Sequence, residues 1–531
     1  MTPKLSLPAL VALGLFAQTS APEPPVNRVN SRLVEVNVIV HDKHGTVDNL
    51  TQRDFTLFDK GKEQTIASFL VAKAHAPLQP REPNVFTNRP DRDGSGDSIT
   101  VILLDGLNTL PQDLIFVSSQ FTKILNEIKP ADRVAVYALG TRLRILSDIG
   151  SPTEDRQRIA EDWLADASVT RWLRIEDRLN NTAAALGAIA GHIGHLPGRK
   201  NLVWVAGSFP VSVGHRGGEG PSELETAASQ QQTSSTGGLN RSPDNPNPIG
   251  RQVYQRLFEP AMQALVLNNI SVYAADPRGL ADLSAPDTTT TAGSGASRGR
   301  GQSKSGDTGL SAPAGANAVR TLAADTGGRV FEGSNEIQKG IRRAIDDAEV
   351  TYTLSYYPDS KSLDGNFREL KVQVTRKDLN LFYRKGYLAL PEPKITEAQR
   401  VEAIGLALIN PLSSGAIGLT AECEKSGQPK AGSMRAAVTI SAGDLVLQRE
   451  GGQWTGEIEL ILDPRSADGQ DRGAIRRPLA LKLTQAQYET ALKQGISMSE
   501  NLEPTGDVAE IRAVVSDRNS GKVGSLIMPV K

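Results

Sequence analysis

The chain has a single cysteine, Cys423, among its 531 residues, so no disulfide can form within it. Stability must come from buried apolar cores, and Cys423, in LTAECEKSG, reads as a half-buried strand residue rather than a reactive thiol. An excess of charge of either sign is also missing. The 59 Lys and Arg nearly balance 60 Asp and Glu, so no basic field exists to gather nucleic acid or anionic lipid. Nor does any apolar run reach the roughly 20 residues that a helix needs to cross a bilayer.

Catalytic signatures are equally scarce. HExxH does not occur, the GxSxG match GASRG at 295–299 lies in a low-complexity stretch with none of the strand-turn-helix context of a nucleophile elbow, and the six histidines fall in no motif with acid partners. His41 and His44 in HDKHG read as exposed imidazoles of a hairpin turn, and His192 and His195 as a surface or packed pair one helical turn apart. The stretch GSGASRGRG has no strand leading in and no helix leading out, which excludes a phosphate-binding loop. No nucleophile stands beside a base, so the expectation is that the protein is not an enzyme.

What is present divides the chain into about three domains by length. Residues 1–21 carry one lysine, an apolar run and then small residues, the pattern of a signal peptide that directs export to the periplasm, cell surface or exterior. Residues 28–75 alternate apolar and polar positions around Gly45 and Gly61 and read as a small antiparallel β unit. A proline-rich linker follows at 76–97. From residue 98 to 392 strands and helices alternate, beginning with ITVILLDG, RVAVYALG, NLVWVAG and ISVYAAD. That alternation predicts an α/β fold, a doubly wound and mainly parallel sheet of Rossmann-like type. Two low-complexity insertions, 213–249 and 282–315, interrupt it, and FRELKVQV with its successor is expected to extend the sheet antiparallel. Residues 395–531 read as a further β-rich or mixed domain, so the α/β body is flanked by small β-rich domains. In sheets of this kind ligands sit outside the carboxyl ends of the strands, which is where Asp105 falls.

Taken together, RLVEVNVIVHDKHGTVDNLTQRDFTLFDKGKEQTI, VILLDGLNT, RKNLVWVAGSFP, ISVYAADPRGL, LAADTGGRVFEGSN and YTLSYYP through YRKGYLA make the chain resemble the VWFA-related Acidobacterial proteins, built around a von Willebrand factor type A domain. The resemblance runs in order over residues 30–390. It implies a metal-ion-dependent adhesion site, in which an Asp-x-Ser-x-Ser strand end joins a threonine and an aspartate from later loops around Mg²⁺. A hard ion of this kind wants six oxygens, one of them supplied by a partner's carboxylate. Asp105 matches the first aspartate and Thr109 the second hydroxyl, but Leu107 stands where the first serine belongs. Asn180 or Thr182 falls near the threonine position, and Gly207 or Ser208 where the second aspartate would lie. The resemblance therefore implies a degenerate site, with Asp105 and Thr109 as ligands of Mg²⁺ or Mn²⁺, set against a reading in which Asp105 and Asn108 simply cap the next turn. The expected partner-binding rim is Asp105, Asn108, Thr109, Asn180, Ser208 and Asp276. The implied function is that of a secreted or envelope-associated, adhesion-type module that binds a protein partner without catalysis. A metal-independent scaffold of an envelope assembly and, last, a metal-dependent hydrolase are the alternatives.

Overall fold

The computed structural model describes residues 33–73, 84–89, 98–109, 111–129, 132–149, 163, 175–196, 198–207, 248–276, 314–332, 336–358, 366–389, 395–425 and 433–530. The expected signal at 1–21, Ser208 and nearly all of the two insertions lie outside them. The last two residues of the first insertion and of the second already belong to helices.

Four near-continuous apolar runs become strands, Ile99–Asp105, Val134–Leu139, Lys200–Val205 and Ile270–Asp276, and every residue of the first three is buried. They pair in parallel, with Ile99–Asp105 between Lys200–Val205 and Val134–Leu139, and Ile270–Asp276 beyond Lys200–Val205. Val330–Glu332 adds a parallel strand at one edge and Leu143–Ser147 an antiparallel one at the other. Among the described residues five helices cover this sheet: α1 (Pro111–Glu127), α2 (Ile175–Ile193), α3 (Pro248–Leu267), α4 (Ala314–Thr326) and α5 (Glu336–Asp346). Because successive strand residues face opposite ways, Val101 and Leu103 pack with Leu186, Ile189 and Leu265 of α2 and α3. Ile102 and Leu104 pack on the other side with Phe121, Ile124 and Ile341 of α1 and α5.

The fold class expected from the sequence, an α/β protein organised by one doubly wound parallel sheet, is corrected by the rest of the chain. Among the described residues there are five sheets, and four of them are antiparallel throughout. Val34–Asp42 pairs with Val350–Tyr356, which in turn pairs with Ser68–Lys73. A second sheet sets Phe55–Asp59 beside Phe367–Val374, with Gly386–Leu388 at its edge. These two sheets share one core, in which Val36, Val38 and Leu57 meet Tyr352, Leu354 and Val372. The strands within 367–390, expected to extend the α/β sheet antiparallel, thus complete the N-terminal β unit instead, together with Val350–Tyr356. A period-two pattern tells a strand which face to bury but not which distant strand to pair with.

The linker also has a structural role. Val85–Thr87 pairs with Leu419–Lys425 in the C-terminal region, and the Asn88 amide donates to the carbonyls of Ser414 (2.7 Å) and Ile417 (2.8 Å) while its oxygen accepts from Leu419 N. That region is β-rich, two antiparallel sheets around Val438, Leu460, Ile511 and Val515. Two helices, α6 (Glu397–Ile409) and α7 (Gln485–Gln494), join them, each started by a threonine in a capping box, Thr396 and Thr484. Cys423 lies half-buried on Leu419–Lys425.

A charged cluster ties the parallel sheet to the N-terminal β sandwich. Asp347, fully buried just past α5, accepts from the Tyr273 hydroxyl at 2.8 Å and faces Arg343 at 3.2 Å and Arg329 at 3.6 Å. His41 Nε2 lies 3.6 Å from the same carboxylate. His41 is buried, against the expectation of an exposed imidazole, because its strand end is covered by α5 and by the Phe382 ring. His44 is the exposed turn residue.

Candidate functional site

Asp105 ends the central parallel strand with its side chain wholly buried. Its carboxylate accepts three hydrogen bonds from the protein. Oδ1 accepts from Asn108 N at 2.9 Å, and Oδ2 accepts from Asn108 Nδ2 at 2.7 Å and from the Trp204 indole N–H at 2.9 Å. The first of these bonds closes a tight turn of the kind that Asp and Asn favour. Thr109 Oγ1 donates to Asp105 O at 2.5 Å and accepts from Gly207 N at 3.1 Å, which fastens the turn to the end of the neighbouring strand. Burial pushes the Asp105 carboxyl above its ordinary value, and the Asn108 and Trp204 donors pull the other way.

The second layer comes from α2. Asn108 Nδ2 also donates to Thr182 Oγ1 at 2.8 Å, and Thr182 Oγ1 donates in turn to Arg178 O. Arg178 Nη2 closes the ring on Asn108 Oδ1 at 3.3 Å. Of the two residues expected near the threonine position, the network runs through Thr182 and not through Asn180, which is half-buried on the same helix. Asp276 ends a strand two places from Asp105, with Lys200–Val205 between them. At about 4.8 Å per strand the two backbones stand about 10 Å apart, so they share a rim but not an ion.

The described residues around Asp105 do not fit a divalent cation. Mg²⁺ requires oxygens with lone pairs turned toward it, yet both oxygens of Asp105 already face N–H donors from the protein. Leu107 is buried in the core of the sheet and offers no hydroxyl, and Gly207 offers no side chain. Asp113, in the first turn of α1, brings a carboxylate oxygen to 3.6 Å from where a Cβ on Gly207 would lie. Among the described residues no three His, Cys, Asp or Glu side chains are grouped so as to hold a metal. The expected ligands Asp105 and Thr109 are therefore brought together, but as members of a hydrogen-bonded turn. Ser208 lies outside the described residues.

Sequence reasoning missed Trp204 and Arg178. Trp204 looked like strand filler in NLVWVAG, although a buried indole N–H generally needs an acceptor, and a carboxylate at the end of the adjacent strand was at hand. Arg178 gave no local signal, because its role arises only where α2 passes over the turn.

No protein-family model matches the chain, and no curated protein matches it. Several solved structures do. One is a von Willebrand factor type A protein from Catenulispora acidiphila, with 9% identity, 89% of this chain and 74% of that chain covered, and a TM-score of 0.25. An aerotolerance-related membrane protein from Bacteroides fragilis aligns at 16% identity over 47% of this chain and 98% of its own, with a TM-score of 0.22. The three N-terminal domains of a type V pili tip protein from Porphyromonas gingivalis align at 10% identity over 87% and 96%, with a TM-score of 0.25. The structures similar to this chain thus include a von Willebrand factor type A domain, and likenesses this slight carry no weight for function.

Proposed function

We propose that this chain is an exported, non-catalytic protein-binding module of adhesion type that works without a resident metal, and that its parallel-sheet body is a VWFA-related domain. The observation that carries the reading is the sealed Asp105 carboxylate, whose three protein donors stand where an ion would. The sequence resemblance supports the adhesion class.

Arg178 supplies the positive charge at this rim. Its guanidinium is only partly buried, is held to Asn108, and is a fixed cation that needs no dehydration of a metal to meet a partner's carboxylate. Asp276 and the exposed Ile115 of α1 give the same end of the body further polar and apolar contact surface.

The test is calorimetric titration of Mg²⁺ and Mn²⁺ into the full chain and into Asp105→Ala, together with binding to the envelope fraction of the producing cell. The expected result is no metal heat in either protein and envelope binding that persists in chelator but falls in Arg178→Glu. Metal heat that disappears in Asp105→Ala, or binding that is lost in chelator, would overturn the reading.

A further inference from the structure

At the opposite end of the parallel strands from Asp105, where the sheet meets the N-terminal β sandwich, lies a cavity of about 200 Å³. Lys200, the first residue of its strand, lines it and is buried, at 4% exposure. Its nitrogen donates to Leu196 O at 3.1 Å, beyond the end of α2, and has no other hydrogen-bond partner among the described residues. One acceptor suits a nitrogen with a single N–H, whereas an ammonium carries three. Burial favours the uncharged amine and holds the pKa of Lys200 down at about 8, with Glu35 opposing the shift and Arg384 adding to it. At pH 7 about a tenth of Lys200 is then free amine, against roughly one in 3,000 for a lysine at the ordinary 10.5.

The charges of the wall favour a neutral ligand. Glu35 balances Lys200, and Arg384 is taken up by contacts of its own, among them the Tyr387 ring. What the wall lacks is an acceptor. Asn269 follows the end of α3 in a left-handed turn, at φ 55°, and its Nδ2 is buried with no hydrogen-bond partner among the described residues. Such a donor costs free energy unless an oxygen meets it. The remaining wall is partly apolar, with Val266 and Leu388. At about 30 Å³ per water the space holds roughly seven, room for a molecule of about that many heavy atoms. A small neutral molecule that brings an oxygen to Asn269 and an electrophilic carbon to a free amine is an aldehyde.

We propose that Lys200 captures a small aliphatic aldehyde as an imine, with Asn269 Nδ2 donating to the carbonyl oxygen during attack and the aliphatic tail against Val266 and Leu388. The Nζ lone pair forms a bond to the carbonyl carbon, the C–O bond breaks, and the oxygen leaves as water with both amine protons. With one proton taken up from solvent, the imine keeps the single positive charge that Glu35 balances, and its one N–H matches the one acceptor, Leu196 O. No oxidant or reductant is consumed. The site involves neither Asp105 nor the rim, so it stands or falls apart from the function proposed above.

The experiment treats the full chain with n-butyraldehyde and cyanoborohydride, which reduces an imine to a stable secondary amine, and reads each lysine by peptide mass mapping. The expected result at pH 7 is labelling of Lys200 about tenfold or more ahead of the exposed Lys43 and Lys62, its larger share of free amine outweighing its poorer access. The Lys200 rate should level off above about pH 8 while theirs goes on rising. Asn269→Gly, which suits the left-handed backbone and removes the amide, is expected to slow labelling of Lys200 by roughly 2- to 10-fold and to leave Lys43 and Lys62 as they were. The wild-type measurement decides the matter if that variant fails to fold. A Lys200 that labels no faster than Lys43 and Lys62, that labels only once the chain is unfolded in denaturant, or that labels equally fast in folded Asn269→Gly would overturn the proposal.

Discussion

Replacing Asp105 by Asn keeps the shape of the side chain and removes one of two acceptor oxygens. The carboxylate serves Asn108 N through Oδ1, and Asn108 Nδ2 and Trp204 Nε1 through Oδ2. Whichever way the new amide is turned, at least one donor faces an NH₂ group and is left unpaired in a fully buried place. An orphaned buried donor costs about 1–3 kcal/mol, so Asp105→Asn is expected to destabilise by that amount. Asp105→Ala orphans both Asn108 N and Trp204 Nε1 and is expected to cost about 2–6 kcal/mol. Hydrogen exchange read on Ile99–Asp105 and Lys200–Val205 isolates this body from the others. There Asp105→Asn should speed exchange by roughly 5- to 150-fold where exchange reports opening of the sheet. The dependence on pH has a definite sign. Because the folded carboxyl is raised above 3.8, the folded state holds the proton more tightly than the unfolded chain. Stability from this group is therefore fully present below 3.8 and declines as pH rises through the raised value, a slope that Asp105→Asn should remove. A variant with Asn that is as stable as the wild type, or more so, would refute the reasoning. It would mean that the carboxylate is a strained charge awaiting a cation rather than a satisfied acceptor.

Asp347→Asn removes the anion facing Arg329, Arg343 and His41 and should cost about 3–5 kcal/mol, read as a lower Tm and faster exchange in Val34–Asp42. His41 is held below its usual 6.5 chiefly by burial, so the stability it contributes is present above 6.5 and is lost as pH falls through the lowered value. A wild-type Tm insensitive to pH below 6.5, and unchanged in this respect by His41→Gln, would contradict this. Gly328→Ala would place a Cβ 2.0 Å from Val272 O and should lower Tm, whereas Gly405→Ala on α6 meets open space and should stabilise by about 0.5–1 kcal/mol. Asn88→Ala strands Leu419 N and takes one donor from each of the carbonyls of Ser414, Ile417 and Ser525, and should make residues 84–89 cleave faster in limited proteolysis.

Much of the parallel sheet was legible because a strand buried on both faces must be apolar at nearly every position, as in TVILL and VAVYAL. Asp105 stood out against that background. The partners of the N-terminal strands were not legible, since the Val36 to Leu354 pairing spans more than 300 residues and period-two alternation carries no address. Val85–Thr87 was hidden for a related reason. It is a three-residue edge strand inside a proline-rich stretch, defined by Leu419–Lys425 and by Asn88 rather than by its own composition. At the site, Leu107 and Gly207 could be read as departures from a metal-binding pattern, but what replaced the ion could not. Trp204 and Arg178 meet the Asp105 turn only after two strands and a helix have packed, and neither carries a spacing that links it to residue 105.

The most direct measurement follows the Trp204 indole N–H by nuclear magnetic resonance during addition of Mn²⁺. A resonance protected from exchange, shifted as expected for a hydrogen bond to a carboxylate, and left sharp by the paramagnetic ion is the predicted result. Broadening of that resonance at stoichiometric Mn²⁺, abolished by Asp105→Ala in a folded protein, would show that the carboxylate opens to a metal and would contradict the account.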